Sequence, residues 1–377
     1  MEKIQFIDLA AQQQRIGVDT INEKISAILS HGQYIMGPEV KKLEEELSHF
    51  GGTAHCLSCS NGSDAIFLAL LALGIGQGDA VFVPSFTFAA TAEMVALTGA
   101  TPVFIDVHED TYNMDPAHFQ LALDETIAKG ELKPKAVMPV CLFGQIANYP
   151  AIANIAKAAD LKIIADAAQG FGSTLEGKQA CVWADMVTTS FFPAKPLGCY
   201  GDGGAVLTNS DELFEILTSL RNHGQGTDRY DNVRIGINGR LDSIQAAILS
   251  LKLDIFPSEI VSRGEVALRY NEGLKDVVTP PKLMDGVIST WAQYTIRSEK
   301  RDAIATFLRD QNIPNAIYYA RPLHKQTAYE AYPIAGGKLP VTDKLAGEVI
   351  SLPMHPYLKS ETQEKIITAV KRAVDEA

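Results

Sequence analysis

The chain has 377 residues, more than one hydrophobic core usually organises, so we expect two domains. Apolar residues make up 46% and charged residues 21%, which is typical of a globular protein and excludes a disordered chain. The 45 acidic residues outnumber the 33 basic ones, the formal net charge is −12, and no basic run offsets it, so we expect no nucleic-acid surface.

The N-terminus lacks the apolar stretch of a signal peptide, and the longest apolar run, residues 65–73, is too short to span a membrane. We therefore expect a soluble, cytoplasmic protein that does not bind membranes. The five cysteines are an odd number, which does not indicate a disulfide framework. Cys56 and Cys59 form a C-x-x-C pattern, but no second pair with zinc spacing follows. We expect packed thiols and no metal site.

Helical periodicity comes first in the chain, over residues 18–30 and 38–50. Short apolar runs then alternate with helix-length segments up to about residue 210. The predicted strands cover residues 56–58, 80–83, 101–105, 136–140 and 161–165, and the predicted helices between them cover 62–73, 89–97, 116–129 and 150–159. This alternation indicates an α/β fold with a mostly parallel sheet between layers of helices.

The pattern changes after about residue 245. A helix is predicted over residues 243–254 and is followed by Pro257. A further segment over residues 263–274 and a break at Pro280-Pro281 come next. A last helix is predicted over residues 362–375. We expect a large domain over residues 1–250 and a smaller α+β domain over 251–377.

Polar residues with possible chemical roles follow three of the predicted strands, where α/β sheets bind their ligands. The first group, residues 60–65, connects a strand to a helix, and its Ser63 and backbone N–H groups could hold a phosphate. A plain N-cap turn is the alternative. The second is Asp166, which ends a buried strand and could equally cap a turn.

The third candidate is Lys195, which stands between Pro193-Ala194 and Pro196 and precedes a glycine-rich turn. Prolines and glycines make a rigid, closely packed support, which a solvated surface lysine does not need. A lysine that forms a Schiff base does need one. A phosphate cradle, a carboxylate and such a lysine together match the requirements of pyridoxal 5′-phosphate (PLP).

These stretches resemble the DegT/StrS family of sugar-nucleotide aminotransferases, which have the fold type I architecture of PLP-dependent transferases. The resemblance covers nearly the whole chain. The matching stretches are residues 6–9 (Phe-Ile-Asp-Leu), 36–40 (Met-Gly-Pro-Glu-Val), 166–169 (Asp-Ala-Ala-Gln), 190–204, 221–224 (Arg-Asn-His-Gly) and 236–241 (Gly-Ile-Asn-Gly-Arg-Leu).

The resemblance implies a role for each matching residue. Lys195 would form the Schiff base and move the proton, and Asp166 would pair with the pyridinium nitrogen. The other implied cofactor residues are Gln169 at the ring hydroxyl, Phe88 stacked on the ring (Phe86 is the alternative), and Ser63, Asp64 (through its backbone) and Ser190 at the phosphate. Asn238 would reach the phosphate of the neighbouring subunit, which implies a homodimer with shared active sites.

Within the family, the chain is similar to transaminases of UDP-2-acetamido-2-deoxy-3-oxo-glucuronate. This likeness depends on residues 190–200, 292–294 and 352–358. It implies L-glutamate as amino donor, with Arg240 as the candidate for the sugar carboxylate. Tyr319, Arg321 and His324 are candidates for the nucleotide sugar. One departure is Tyr318, where the family often has histidine.

Four other functions are alternatives. An aminotransferase acting on a 4-keto-6-deoxy nucleotide sugar is the nearest alternative. A PLP-dependent sugar dehydratase of this family would lack Lys195. A nicotinamide dehydrogenase is disfavoured because Gly74-Ile75-Gly76 precedes a strand instead of opening a helix. The remaining alternative is a non-catalytic regulator that binds PLP or a nucleotide sugar, which has no need of the lysine.

Overall fold

The computed structural model describes residues 3–228 and 230–376. A seven-stranded sheet organises the first two thirds of the chain. Its strands are β1 (His55–Cys59), β2 (Asp79–Pro84), β3 (Thr101–Ile105), β4 (Lys133–Val137), β5 (Lys162–Asp166), β7 (Met186–Ser190) and β8 (Gly204–Thr208). They are arranged in the order β1-β8-β7-β5-β4-β2-β3, and β8 alone runs antiparallel to its neighbours in this sheet.

Helices cover this sheet and extend the chain at both ends. In chain order they are α1 (Leu9–Ile16), α2 (Val18–His31), α3 (Pro38–Gly51), α4 (Gly62–Ala72), α5 (Ala90–Leu97), α6 (Pro116–Lys129), α7 (Tyr149–Ala158), α8 (Asp211–Arg221), α9 (Ser243–Leu274), α10 (Arg301–Asp310), α11 (Pro340–Glu348) and α12 (Ser360–Glu376). In the described part of the chain, none of them is long and apolar enough to cross a membrane.

Each face of the large sheet packs into its own apolar core, because successive strand residues point to opposite faces. On β2, Phe82 lies in one core, and Val81 and Val83 lie in the other. Cys56 and Cys59 are likewise divided between the two cores, as expected for residues three apart on a strand. Both thiols are free and buried. The predicted α/β fold with a mostly parallel sheet is confirmed.

Two short strand pairs lie outside the large sheet. Strand β6 (Thr174–Leu175) pairs with β9 (Val287–Ile288), and β10 (Tyr294–Arg297) pairs with β11 (Val349–Leu352), in both cases antiparallel. The second pair packs with α10 and α12 around a third apolar core near the C-terminus.

The predicted helix end at residue 254, just before Pro257, is wrong, because α9 passes through Pro257 and is 32 residues long in all. Proline removes one backbone hydrogen bond from a helix interior. Buried contacts on both sides offset that loss: Phe256 and Ile260 pack into the core of the large sheet, and Tyr270 and Leu274 pack into the third core. The predicted boundary between residues 250 and 251 falls inside this helix, and the division into two domains stays a prediction.

Candidate active site

The N-terminus of α4 packs against the end of β7. Helix α4 begins after Asn61, whose side chain accepts a hydrogen bond from the Asp64 N–H at 2.8 Å. A Cβ added at Gly62 would lie 2.5 Å from the Ser190 Cβ, so glycine is needed for this close approach. Ser63 and Ser190 are both half-buried beside the positive end of the helix dipole. This arrangement favours an anion such as a phosphate.

Asp166 lies at the carboxyl end of β5 with 5% of its surface exposed. Its Oδ2 accepts a hydrogen bond from the Thr91 hydroxyl at 3.0 Å, and its Oδ1 accepts one from the Ala168 N–H at 3.1 Å. Burial raises the pKa of Asp166, and these bonds and the positive charge of Lys195 oppose that rise. The carboxylate is therefore fixed in orientation and suited to a cationic partner.

Lys195 stands on the loop that joins β7 to the antiparallel β8. Its backbone N–H donates to the Phe192 carbonyl at 2.8 Å, and the backbone N–H of Cys199 donates to the Phe191 carbonyl at 2.8 Å. These two bonds fold the loop back on itself. Among the described residues, none forms a hydrogen bond or ion pair with the Lys195 side chain. Burial lowers the pKa of Lys195, and the charge of Asp166 opposes this. A lowered pKa favours the neutral, nucleophilic amine.

Gln169 and Tyr319 form one wall of the site. The Gln169 side chain accepts a hydrogen bond from the Phe143 N–H at 2.6 Å and donates one to the Tyr319 hydroxyl at 3.1 Å. The Phe88 ring is 57% exposed, and its centroid lies 6.5 Å from that of Tyr319. Phe86 is fully buried, so it has no free face for stacking on a cofactor ring. The exposed face of Phe88 supports its predicted stacking role.

The polar residues implied for the partner site and the substrate lie at the surface. Asn238 is exposed, and its Oδ1 accepts a hydrogen bond from the Arg240 Nε at 2.9 Å. Among the described residues, none forms a hydrogen bond or ion pair with the terminal guanidinium nitrogens of Arg240. Asn238 is close to the α4 loop of its own chain, since the neighbouring Gly239 carbonyl accepts the Ser60 N–H at 3.1 Å. Arg321 is also exposed.

The structure places His324 differently from the other predicted substrate residues. Its ring is 8% exposed, with Nδ1 2.7 Å from the Ser85 hydroxyl and Nε2 3.3 Å from Asp343. Both ring nitrogens are thus engaged within the protein, which is typical of a residue that fixes a segment. A direct contact between His324 and the nucleotide stays a prediction. Ser85, His324 and Asp343 are not arranged for nucleophilic catalysis, because Ser85 is fully buried.

The residues present fit PLP. The cofactor needs an anion site, an acid for its pyridine nitrogen, a lysine and a flat apolar surface for its ring. Four features supply these: the α4 N-terminus with Ser63 and Ser190, the oriented Asp166, Lys195, and the exposed ring of Phe88. The Asp64 N–H, which was expected to donate to the phosphate, already donates to the Asn61 side chain. The backbone N–H groups of Ser63 and Gly62 are the better donors to a phosphate. In the described residues, no group of three or more His, Cys, Asp or Glu side chains could hold a metal ion.

Sequence reasoning missed two residues that support this site. Thr91, on α5, holds the Asp166 carboxylate, and Gln245, on α9, accepts the Tyr200 N–H of the Lys195 loop at 2.8 Å. Thr91 lies three residues after Phe88, on the helix that follows the aromatic turn, and that proximity was the available signal. Gln245 gave no local signal, because its partner is 45 residues away in the chain.

The fold and these residues define a PLP-dependent transferase of fold type I. The chain belongs to the DegT/DnrJ/EryC1/StrS aminotransferase family, whose model matches residues 16–371. It is a PLP-dependent sugar aminotransferase, and the predicted family, fold and cofactor are confirmed.

Three relatives illustrate this membership. The chain is 46% identical to UDP-2-acetamido-2-deoxy-3-oxo-D-glucuronate aminotransferase of Pseudomonas aeruginosa, over 97% of this chain and 99% of that protein. A DegT/DnrJ/EryC1/StrS aminotransferase from Brucella abortus shares 51% identity with a TM-score of 0.97, over 98% and 99% of the two chains. A putative sugar aminotransferase from Streptococcus pneumoniae, solved in its PLP form, shares 26% identity with a TM-score of 0.86, over 95% and 96%.

Proposed function

We propose that the enzyme transfers an amino group from L-glutamate to UDP-2-acetamido-2-deoxy-3-oxo-glucuronate. The products are the UDP-linked 3-amino sugar and 2-oxoglutarate. The observation that carries this proposal is the 46% identity, over nearly the full length of both chains, to the Pseudomonas aeruginosa enzyme named for that substrate. The residues of the site support the same chemistry.

The contacts support the following residue roles. When bound, PLP supplies an aldehyde that accepts the amino group and a ring that withdraws electrons from the reacting carbon. Ser63, Ser190 and the N-terminus of α4 hold its phosphate, with Asn61 fixing the turn. Asp166 would keep the pyridine nitrogen protonated, and Gln169, fixed by Phe143 and Tyr319, would hydrogen-bond to the ring hydroxyl.

Lys195 is the catalytic acid and base. Its neutral amine removes the proton from the Cα of glutamate and, in the second half of the reaction, returns a proton to C3 of the sugar. The loop fixes the backbone of Lys195 while its side chain makes no hydrogen bond or ion pair with any described residue. The amine is therefore free to move between reacting atoms.

The substrate carries a diphosphate and a carboxylate, and the planar guanidinium groups of Arg240 and Arg321 suit such anions. Arg240 is held at its Nε by Asn238, and its two terminal nitrogens can bind a carboxylate. Arg321, with Tyr319, would bind the nucleotide. Arg240 would bind the carboxylate of a uronate, which a neutral sugar lacks, and would therefore favour the uronate.

The active enzyme would be a homodimer with shared sites. Exposed apolar side chains flank Asn238 on the loop between α8 and α9: Tyr230 is 88% exposed, Val233 54% and Ile235 93%. Tyr34 and Ile35, beside the start of α9, are 48% and 46% exposed. A second copy of the chain would bury these residues and bring its Asn238 to the phosphate of the neighbouring site.

The absorbance spectrum of the PLP-loaded enzyme tests the proposal when UDP-2-acetamido-3-amino-glucuronate is added. We expect loss of the enzyme-bound PLP band and appearance of the aminated cofactor, with a much smaller change for the neutral 3-amino-glucose analogue. In Arg240→Met that preference should disappear. If glutamate bleaches the band and the uronate does not, the proposed sugar is wrong, and a 4-amino-6-deoxy sugar nucleotide is the next substrate to add.

A further inference from the structure

Lys252 is a buried lysine on α9 whose hydrogen bond and cation–π contact both fall on the loop that carries Lys195. It is 1% exposed. Its Nζ donates a hydrogen bond to the Gly198 carbonyl at 2.6 Å and lies 4.5 Å from the centroid of the Tyr200 ring. Within the described residues, no carboxylate forms an ion pair with it.

A buried ammonium without a carboxylate partner is costly for a protein to keep. Burial lowers the pKa of Lys252 to about 8, and nearby Cys199 and Glu259 oppose this. A methionine or leucine would fill the same space without the loss of hydration. The role of the Lys252 ammonium therefore lies in its two contacts, the Gly198 carbonyl and the face of the Tyr200 ring.

The contacted carbonyl lies where the Lys195 loop closes. A Cβ at Gly198 would come within 2.6 Å of the Phe192 and Pro193 carbonyl oxygens, so the two ends of this turn touch. The Cys199 thiol also donates to the Phe191 carbonyl at 3.0 Å. Lys195 stands between these contact points, and a shift of Gly198 would move its backbone.

We propose that Lys252 is a positioning residue for Lys195. Its ammonium fixes the Gly198 carbonyl and the Tyr200 ring against α9, and so sets the place from which the Lys195 amine reaches the cofactor. Lys252 itself does not contact the reacting atoms. The role depends on the transaminase chemistry of Lys195 and not on the identity of the sugar.

The test compares Lys252→Met and Lys252→Arg in the PLP-loaded enzyme, with the exposed Lys42→Met as matched control. The measurements are the maximal rate constant (kcat) and the half-saturating glutamate concentration (KM) of a single glutamate half-reaction, and the visible circular dichroism of bound cofactor, which reports ring orientation without any substrate. We expect Lys252→Met to lower kcat about tenfold or more, because small misplacements of a reacting group are costly, with KM changed less than about threefold. Its visible dichroism per bound cofactor should fall.

Lys252→Arg keeps a cation and donors, so it should restore most of both signals, and Lys42→Met should match the parent. Tyr200→Leu serves as a second variant if Lys252→Met does not fold, and we expect it to lower kcat with the same spectroscopic change. Parental kcat and dichroism in Lys252→Met or Tyr200→Leu, whatever the unfolding temperature, would overturn the proposal. If glutamate does not bleach the PLP band of the parent enzyme, the proposed amino donor is wrong. The visible dichroism, which needs no substrate, then still tests the role of Lys252.

Discussion

At the scale of single residues, Asp166 combines burial with an imposed orientation. Thr91 and Ala168 each hold one of its oxygens, so the carboxylate stays in place whether or not it carries a charge. Its position can therefore be separated from its charge by an isosteric substitution.

Asp166→Asn keeps the shape and removes the charge. We expect PLP still to bind through its phosphate and kcat to fall about 100-fold or more, because the pyridine nitrogen loses its anionic partner. Stopped-flow absorbance of the glutamate half-reaction measures this. Asp124→Asn, on the exposed face of α6, should match the parent. A rate in Asp166→Asn within threefold of the parent would falsify the assigned role.

His355 shows how a family-specific stretch can act through stability. It lies in residues 352–358, which dock on α9 and on the N-terminal segment: the Met354 N–H donates to the Phe6 carbonyl at 3.1 Å, and Tyr357 hydrogen-bonds to Glu259. The His355 ring is 4% exposed, and burial lowers its pKa to about 4.

This pKa predicts acid sensitivity. Histidine in the unfolded chain binds its proton near pH 6.5, and native His355 does so only near pH 4. The unfolded state therefore gains protons first, and stability falls as pH drops from about 6.5 to 4, by about 3 kcal/mol at most. His355→Gln should flatten the pH dependence of the denaturation midpoint in this window. The exposed His49→Gln should keep it, and equal slopes in the two variants would contradict the prediction.

At the scale of secondary-structure elements, one buried ion pair joins α3, β1 and α8. Glu44 accepts hydrogen bonds from Arg221 at 2.5 Å and from the Ser58 N–H and hydroxyl at 2.8 Å. Arg221 also donates to the Ser58 carbonyl at 2.9 Å. The Arg221-Asn222-His223-Gly224 stretch, which marks the family in the sequence, thus begins with a residue that holds the sheet edge.

Glu44→Ala would leave the Arg221 guanidinium buried without its partner. We expect a loss of about 3–5 kcal/mol in the free energy of unfolding. Glu45→Ala offers a matched control on the same helix, because Glu45 is 68% exposed and lies 3.9 Å from Lys41. That change should stay within about 0.5 kcal/mol. Denaturant titration of the apoprotein compares the two, and similar midpoints would show that the buried pair contributes little.

At the scale of the whole molecule, shared active sites predict complementation between two inactive variants. If Asn238 acts in the neighbouring subunit, a heterodimer of Lys195→Ala and Asn238→Ala contains one site with both native residues and one with neither. Mixing and re-forming the two dimers should then restore activity well above the mean of the separate variants. If both residues act within one chain, every site in the mixture stays impaired and activity does not rise.

Much of the cofactor site could be predicted from the sequence because its parts are local. Lys195 between prolines, Asp166 at a strand end and Ser63 at a helix start each depend on neighbours within a few residues. The alternation of apolar strands and helices likewise indicated the mostly parallel sheet, since that pattern reflects burial on both faces.

Only the tertiary structure decided the contacts between distant segments. Pro257 predicted a helix end from local geometry, but α9 continues because two separate cores hold it. Lys252 looked like any helical lysine until the fold buried it against Gly198, 54 residues earlier. The hydrogen bond between His324 and Ser85, 239 residues apart in the chain, was likewise not visible in the sequence. Burial and long-range hydrogen bonds depend on how the chain folds in space, and no local pattern contains them.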